Sequence, residues 1–595
     1  MRKIYYLPLA LAALSLGSCS SDDATAEGGK SINFAEGGYV RMSINMPTKA
    51  ANAVRSDNDI FNDGLASEYA VKDASLILFQ GNDEGSATFH SAYDITPSME
   101  MLPDDPNQIT SVTKIVKKVS NDENLLGNNL YALVVLNRNN VINVNADNSL
   151  TVNGAAFTGT FADLQAVTVT GNAPTFNTSG FFMTNAPLAS MEGGANADAD
   201  PTNATVNTLV KVNDKVFATA AEAHANPAAS IYVERAVGKV TMSSAGHQEG
   251  NLSGEDMSQD GVNNEAALKY VVDGWKLDIT NNKSYIVHNY STVWNGLNSQ
   301  YLDDAPNYRF IGGTPVEKTV ALWRTYWGTD PNYSTAAAGD FALLASDLSG
   351  VNFNTAFDGT TPEYCMENTF DVDNMNQDVT TRVVVRVKLN DGNDFYVING
   401  DHSTLWTVDG VSKRVKQAAL NNQTIIDAIA NANLGTGVNV GEDDVTYTFG
   451  DRNATDGSVK VASITVTKGQ WTYEATADVV AAVNQDIKTI TKYVNGYSYY
   501  PVRIKHFGDE LTPWNSTQTG VTPGTSYPAN SDAAYLGRYG VLRNNWYDLS
   551  VTGIKAIGSA TVPERPSTDD DEFFNYMSVK INVLSWAKRS QQAEL

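Results

Sequence analysis

Tyr39-Val40-Arg41-Met42-Ser43-Ile44-Asn45-Met46 sets the reading of this chain. Val40, Met42, Ile44 and Met46 are apolar, and Arg41, Ser43 and Asn45 between them are polar. Successive side chains of a strand point to opposite faces, so this spacing predicts a strand with one face in a core. The pattern returns along the chain. Ser75 to Gln80 and Tyr131 to Leu136 are denser apolar runs, as central strands are. Ile231 to Met242, Trp275 to Ile279 and Val383 to Leu389 follow, then Val459 to Val466, Tyr499 to Phe507, Tyr547 to Ile557 and Tyr576 to Leu584. Asn82-Asp83, Asn153-Gly154, Asp391-Gly392 and Asp456-Gly457 punctuate them as turns. Helical spacing is scarce: Thr424 to Ala432 and, more weakly, Thr476 to Val483. Many strands, few short helices and frequent turns predict an all-β protein built of β-sandwich domains.

The length of 595 residues exceeds what one core supports, so several domains are expected. Ser243 to Asn264, rich in Ser, Gly, Asp and Asn, interrupts the strand pattern and suggests a boundary near residues 243–262. This divides the chain into domains at 56–245 and 246–565. Thr561 to Glu572, with Pro563, Pro566 and the acids Asp569 to Glu572, reads as an extended linker that holds the last strand apart.

The first residues read as an export signal. Arg2 and Lys3 precede a short apolar stretch, Ile4 to Leu16, too short for a permanent span. Leu16-Gly17-Ser18-Cys19 then fits a lipoprotein cleavage box, with 1–18 removed and Cys19 acylated. Two or more acyl chains give stable attachment to a membrane. The following residues, to about Lys30, read as a flexible tether.

A net charge of −26 argues against nucleic acid as a partner. With Cys19 lipidated, Cys365 has no intrachain partner and reads as a small buried apolar residue. The 6 histidines are scattered, with no metal-type pair and no His-Glu-x-x-His. Asp256, Ser258, Asp260 and Gly261 resemble the start of a calcium loop, but its last position is Ala267. Gly435-Thr436-Gly437 with Gly441 misses the dinucleotide fingerprint and reads as a turn. Trp323, Tyr326, Trp327 and Tyr333 read as packing rather than a sugar platform. No nucleophile, base and orienting group assemble. The expectation is a non-enzyme with no cofactor and no metal.

The two ends of the chain match. Tyr576-Met577-Ser578-Val579-Lys580-Ile581-Asn582-Val583 repeats the alternation of Tyr39 to Met46, Tyr on Tyr and Ile-Asn on Ile-Asn, with Arg41 and Lys580 on the polar face. Either strand fits the same slot of a sheet. Thr48 to Gly64 between the first strand and the body is polar and holds one Arg, Arg55, in the kind of loop proteases cut. A cut between Arg55 and Ser56 releases the strand of Val40, Met42, Ile44 and Met46. The emptied slot leaves backbone and apolar groups bare, which a strand from another copy relieves.

These features resemble the fimbrillins of Bacteroidales type V pili, most nearly the minor (short) fimbrium subunits. The matching pieces are the lipobox at Cys19, Tyr39 to Pro47 followed by Arg55, Val233 to Val240, Tyr364 to Thr369, Gly537 to Tyr547 and Met577 to Leu595. Ser20-Ser21-Asp22-Asp23 also resembles the sorting signal of surface lipoproteins in Bacteroidetes. The resemblance implies two transthyretin-like β-sandwich domains and an outer-membrane precursor whose segment 19–55 is a propeptide. It implies cleavage at Arg55 by an Arg-specific protease. It also implies a donor strand at Tyr576 to Trp586 within 566–595, with Met577, Val579, Ile581, Val583 and Trp586 on its apolar face. The partners implied are other copies of the chain and accessory fimbrial subunits, and the function is that of a shaft subunit of an adhesive fimbria. Two alternatives stand beside it: an accessory or tip adhesin for a host or glycan ligand, and a surface glycan-binding lipoprotein.

Overall fold

The computed structural model describes residues 38–45, 65–102, 105–115, 129–171, 176–190, 205–217, 219–226, 228–244, 248–252, 269–290, 311–312, 322–325, 327–346, 348, 350–507, 535–570, 577–584 and 589–591. Strands dominate, and the helices are short. Gly38–Asn45, the opening strand, belongs to a 10-stranded assembly. Its main path runs Thr88–Asp94, Ala74–Gly81, Asn129–Leu136, Met183–Asn185, Ala229–Arg235, Gly38–Asn45, Asp105–Ile115, Met99–Leu102. Ala229–Arg235 is the corner strand. Its residues 229–232 pair with the opening strand, and its residues 233–235 pair with Met183–Asn185. One strand thereby serves two sheet sections that enclose a common core. That core takes Val40, Met42 and Ile44 together with Leu76, Leu78, Leu133, Val135 and Ile231.

A second sandwich follows. A 5-stranded sheet runs Glu363–Met366, Val237–Ser243, Trp546–Ile554, Met577–Leu584, Arg589–Gln591. A 4-stranded sheet of Glu249–Asn251, Lys269–Asp278, Arg382–Leu389 and Tyr497–Arg503 faces it. Val240, Leu549 and Val551 of the first meet Val272, Trp275, Val383, Val385 and Val387 of the second in one core. Both sandwiches accord with the all-β class expected from the alternation.

The run Ile231 to Met242 is two strands rather than one. Ala229–Arg235 lies in the first sandwich and Val237–Ser243 in the second, with Ala236 alone between them. The sheets therefore change at residue 236, ahead of the stretch 243–262 that composition marks. Period-2 spacing fixes which face a side chain takes, not which sheet the backbone joins.

A third core lies between Phe395–Ile398 and Tyr497–Arg503 in sequence. Three helices, Val408–Leu420, Gln423–Asn431 and Ala477–Ile487, pack on short strands there. Val411, Val415 and Ala419 lie one helical turn apart and are buried, which gives the first helix its apolar stripe. Thr407 caps it by accepting from the Gly410 N–H.

The expectation of a linker standing off the body is corrected for residues 561–570. Arg382 donates to the carbonyls of Pro563 and Glu564. Arg382 and Arg565 both donate to Asp278, whose carboxylate is fully buried. Burial pushes Asp278 up, but the bonds and charges of Arg565 and Arg382 more than offset it and hold the carboxyl below its ordinary value. Gln377 N–H donates to the Thr568 carbonyl, and Asp570, also buried, donates its N–H to Met375. Prolines and acids look exposed by composition, yet remote partners bind them. The strand Met577–Leu584 lies antiparallel to Trp546–Ile554 of the same chain, from Ile554 opposite Met577 to Trp546 opposite Leu584.

Candidate functional site: the opening-strand slot and the junction behind it

The opening strand lies inside its sheet. Along one side all 8 residues pair antiparallel with Asp105–Ile115, from Gly38 opposite Ile115 to Asn45 opposite Gln108. Along the other, Met42 to Asn45 run parallel to Ala229 to Tyr232, and Tyr39 and Val40 meet Phe217 and Val216. Val40 is 1% exposed, and Met42 and Ile44 are 0%. Arg41 lies on the outer face and donates to the His224 carbonyl. Burying three such apolar side chains contributes roughly 5–9 kcal/mol as an upper figure. That is comparable with the whole stability of an ordinary domain. Removing the strand uncovers this apolar surface and two backbone edges at once.

Of the residues expected at the site, Val40, Met42 and Ile44 point into the core as the alternation requires. Met577, Val579, Ile581 and Val583 fall on the closing strand, whose backbone joins the second sandwich. Cys19, Met46, Arg55, Ser56 and Trp586 lie outside the described residues. So do Asp256, Ser258, Asp260, Gly261 and Ala267. Cys365 is 2% exposed, and burial pushes its thiol up to about 12. Trp327 is buried against Phe370 and Phe507 and donates its Nε1–H to Tyr333 Oη, so this part of the aromatic cluster is packing. Among the described residues no group of His, Cys, Asp and Glu forms a metal site, and no helix is long and apolar enough to cross a membrane.

A feature the sequence did not disclose lies behind the slot, where the sandwiches meet. Val233 to Val240, Tyr364 to Thr369 and Gly537 to Tyr547 converge there. Glu68 and Lys239 are both fully buried, with Nζ 2.8 Å from Oε1 and 3.0 Å from Oε2. Tyr364 Oη donates to Glu68 Oε1 at 2.6 Å, and Arg235 Nε donates to the Glu68 carbonyl at 2.7 Å. The Lys239 ammonium lies 3.6 Å from the centre of the Trp546 ring. Burial lowers the Lys239 pKa, and Glu68 pulls the other way. Beside this, His288 Nδ1 contacts Glu234 Oε1, and Arg543 Nε donates to Glu367 Oε2 at 3.2 Å. Gly238 permits the close approach, because a Cβ there would lie 2.5 Å from Val541 Cγ1. The partners come from sequence-distant groups (Glu68; Glu234, Arg235 and Lys239; His288; Tyr364 and Glu367; Arg543 and Trp546), so no local spacing signals the cluster.

A buried and a half-buried carboxyl carry a pH signature. Burial pushes Asp330 up to about 7 against the N–H bonds of Thr369 and Asn332. It likewise raises Glu84 to about 7 against Thr208 and Leu209. A carboxyl raised in the folded state favours folding while protonated. Its contribution is complete below the unfolded value, 3.8 for an ordinary Asp, and is lost as pH rises through about 7. Asp330→Asn removes that dependence. In urea unfolding at a series of pH values, the variant is expected to gain about 1–3 kcal/mol on wild type between about pH 4 and pH 8. A gap between the two curves that does not change with pH sinks this account.

Paired sandwiches, with the opening strand buried inside the first, define an all-β class of protein. Residues 491–592 match the family described as major fimbrial subunit protein type IV, fimbrillin, C-terminal. Over that stretch the chain is similar to the fimbrillins that its sequence motifs resemble. Among solved structures, a fimbrilin (FimA) of Porphyromonas gingivalis is 11% identical, with 93% of this chain and 99% of that one covered at a TM-score of 0.34. The tip fimbrial protein Mfa3 of Porphyromonas gingivalis is 8% identical, with 92% and 99% covered at 0.26. A fimbrial assembly protein of Parabacteroides distasonis is 10% identical, with 59% and 81% covered at 0.25. No curated protein sequence matches the chain.

Proposed function

We propose that the chain is a shaft subunit of an adhesive surface fimbria. It is exported as a lipoprotein through Cys19 and held at the outer membrane. An Arg-specific protease cuts it between Arg55 and Ser56, and it polymerises by strand exchange with other copies and accessory subunits. The observation that supports this best is the slot. The opening strand is flanked on both sides and buried to 1% or less at Val40, Met42 and Ile44, and the closing strand carries the same alternation. An empty slot has too much apolar surface and too many bare backbone groups to persist alone. Another copy's Met577–Leu584 supplies both kinds of group.

Arg55→Ala tests the activation step. The variant is expected to stay monomeric and lipidated, whereas wild type treated with an Arg-specific protease forms ladders that survive mild denaturant. Ladders from Arg55→Ala under the same protease contradict the assigned cut. A lipidated wild-type monomer that never assembles would favour a surface glycan-binding lipoprotein instead.

A further inference from the structure

If the opening strand departs, something must keep the chain that follows it from peeling off the first sandwich. We propose that Glu68 is a positioning residue that fixes the chain from Leu65 onward to both sandwiches, independently of the opening strand. This rests on the reading that the opening strand leaves.

The Glu68 carboxylate binds Lys239 and Tyr364, both on strands of the second sandwich. Its backbone carbonyl binds Arg235, the last residue of the corner strand in the first. The carboxylate's Oε2, which also meets Lys239, closes the turn by accepting from the Leu65 N–H at 2.9 Å. Arg235 is itself braced by Asn544, which accepts from its backbone N–H and from Nη1. Trp546 lies over Lys239 and donates to Thr241 Oγ1 at 2.7 Å. The chain past Glu68 stays tied. Asn137 Nδ2 donates to the Ala70 carbonyl, and Asn137 Oδ1 accepts from the Lys72 N–H. The sheet then begins at Ala74. The opening strand supplies none of these groups. Its own ladders go to Asp105–Ile115, Val216–Phe217 and Ala229–Tyr232.

A buried ion pair contributes little net stability against an apolar replacement, so the role of this one is geometric. A carboxylate with one buried ammonium, one phenol and one turn amide as partners has one low-energy place. That place lies where the two sandwiches touch. The segment 65–73 therefore becomes the fixed leading end of the processed subunit, and the strand ahead of it becomes removable.

Hydrogen exchange of the peptide covering residues 66–73 tests this in the full chain, before and after treatment with an Arg-specific protease. In wild type, removing the opening strand is expected to change the exchange rate less than about twofold, because the holding groups remain. Glu68→Gln leaves Lys239 buried without its counter-charge and is expected to raise the rate at least about tenfold. Tyr364→Phe deletes one hydrogen bond and no charge, folds where the Gln variant fails, and is expected to raise it about fivefold. Opening of 66–73 in wild type on loss of the strand overturns the proposal. So does exchange at the wild-type rate in both variants. If the protease releases no strand, the reading under Proposed function fails. The variants are then compared with wild type uncut, where faster exchange upholds the hold by Glu68 and equal exchange removes it.

Discussion

Deleting Met577 to Leu595 is expected to abolish ladder formation while leaving a folded, processed monomer. The monomer survives because Trp546–Ile554 keeps its other neighbour, Val237–Ser243, with Lys239 to Ser243 parallel to Trp546 to Ser550. Assembly fails because the deletion removes the proposed donor, the strand that matches the opening strand Tyr on Tyr and Ile-Asn on Ile-Asn. The closing strand pairs within its own chain from Trp546 opposite Leu584 to Ile554 opposite Met577, so the proposed donation would require it to leave that sheet first. In the proposed exchange one ladder is traded for another, and the gain would come from the apolar slot in the receiving copy. A synthetic peptide of Tyr576 to Trp586 is accordingly expected to cap wild-type subunits and shorten the ladders. Gel ladders and size-exclusion profiles read both results. A truncated protein that assembles at the wild-type rate removes the closing strand from the mechanism.

The second large effect concerns the slot. Met42→Asp puts a carboxyl at a position with no exposure, between Ala229 and Ser111 in the ladder. Losing the Met burial and desolvating the acid together are expected to destabilise the uncut precursor by more than about 4 kcal/mol. Arg41→Gln, one residue away on the outer face, is expected to cost about 1 kcal/mol at most. Urea unfolding of the uncut chain measures the contrast. The sharper comparison follows cleavage. A Met42→Asp chain that folds and is then cut discards the altered residue, so its polymer is expected to match wild type. A polymer still weakened by that substitution would mean the opening strand stays.

The fold class was legible because burial leaves a period. Val40, Met42 and Ile44 announce their strand, and Val383 to Leu389 announce a central one. Asn153-Gly154 announces a turn, and both residues take positive φ, at 49° and 79°. Three things were hidden. Ala236 separates two strands that read as one, because alternation does not change where a chain crosses between sheets. The helix Val408–Leu420 buries Val411, Val415, Ala418 and Ala419, and small apolar residues among Lys and Arg give a faint stripe. The segment 561–570 has the composition of exposed chain but is held by Arg382 and Asp278, far away in sequence. At the site the strand was readable and the junction was not, since Glu68, the stretch from Arg235 to Lys239, and Tyr364 become neighbours only in three dimensions.

The single residue between the corner strand and Val237–Ser243 bears on the elasticity of a fibre. A tether of one residue has almost no conformational entropy, and Ala236 is itself buried and hydrogen-bonded to Phe182. The two sandwiches of one subunit therefore cannot swivel as beads on a string. In the proposed fibre, flexing falls to the joints between copies, and the persistence length is set there.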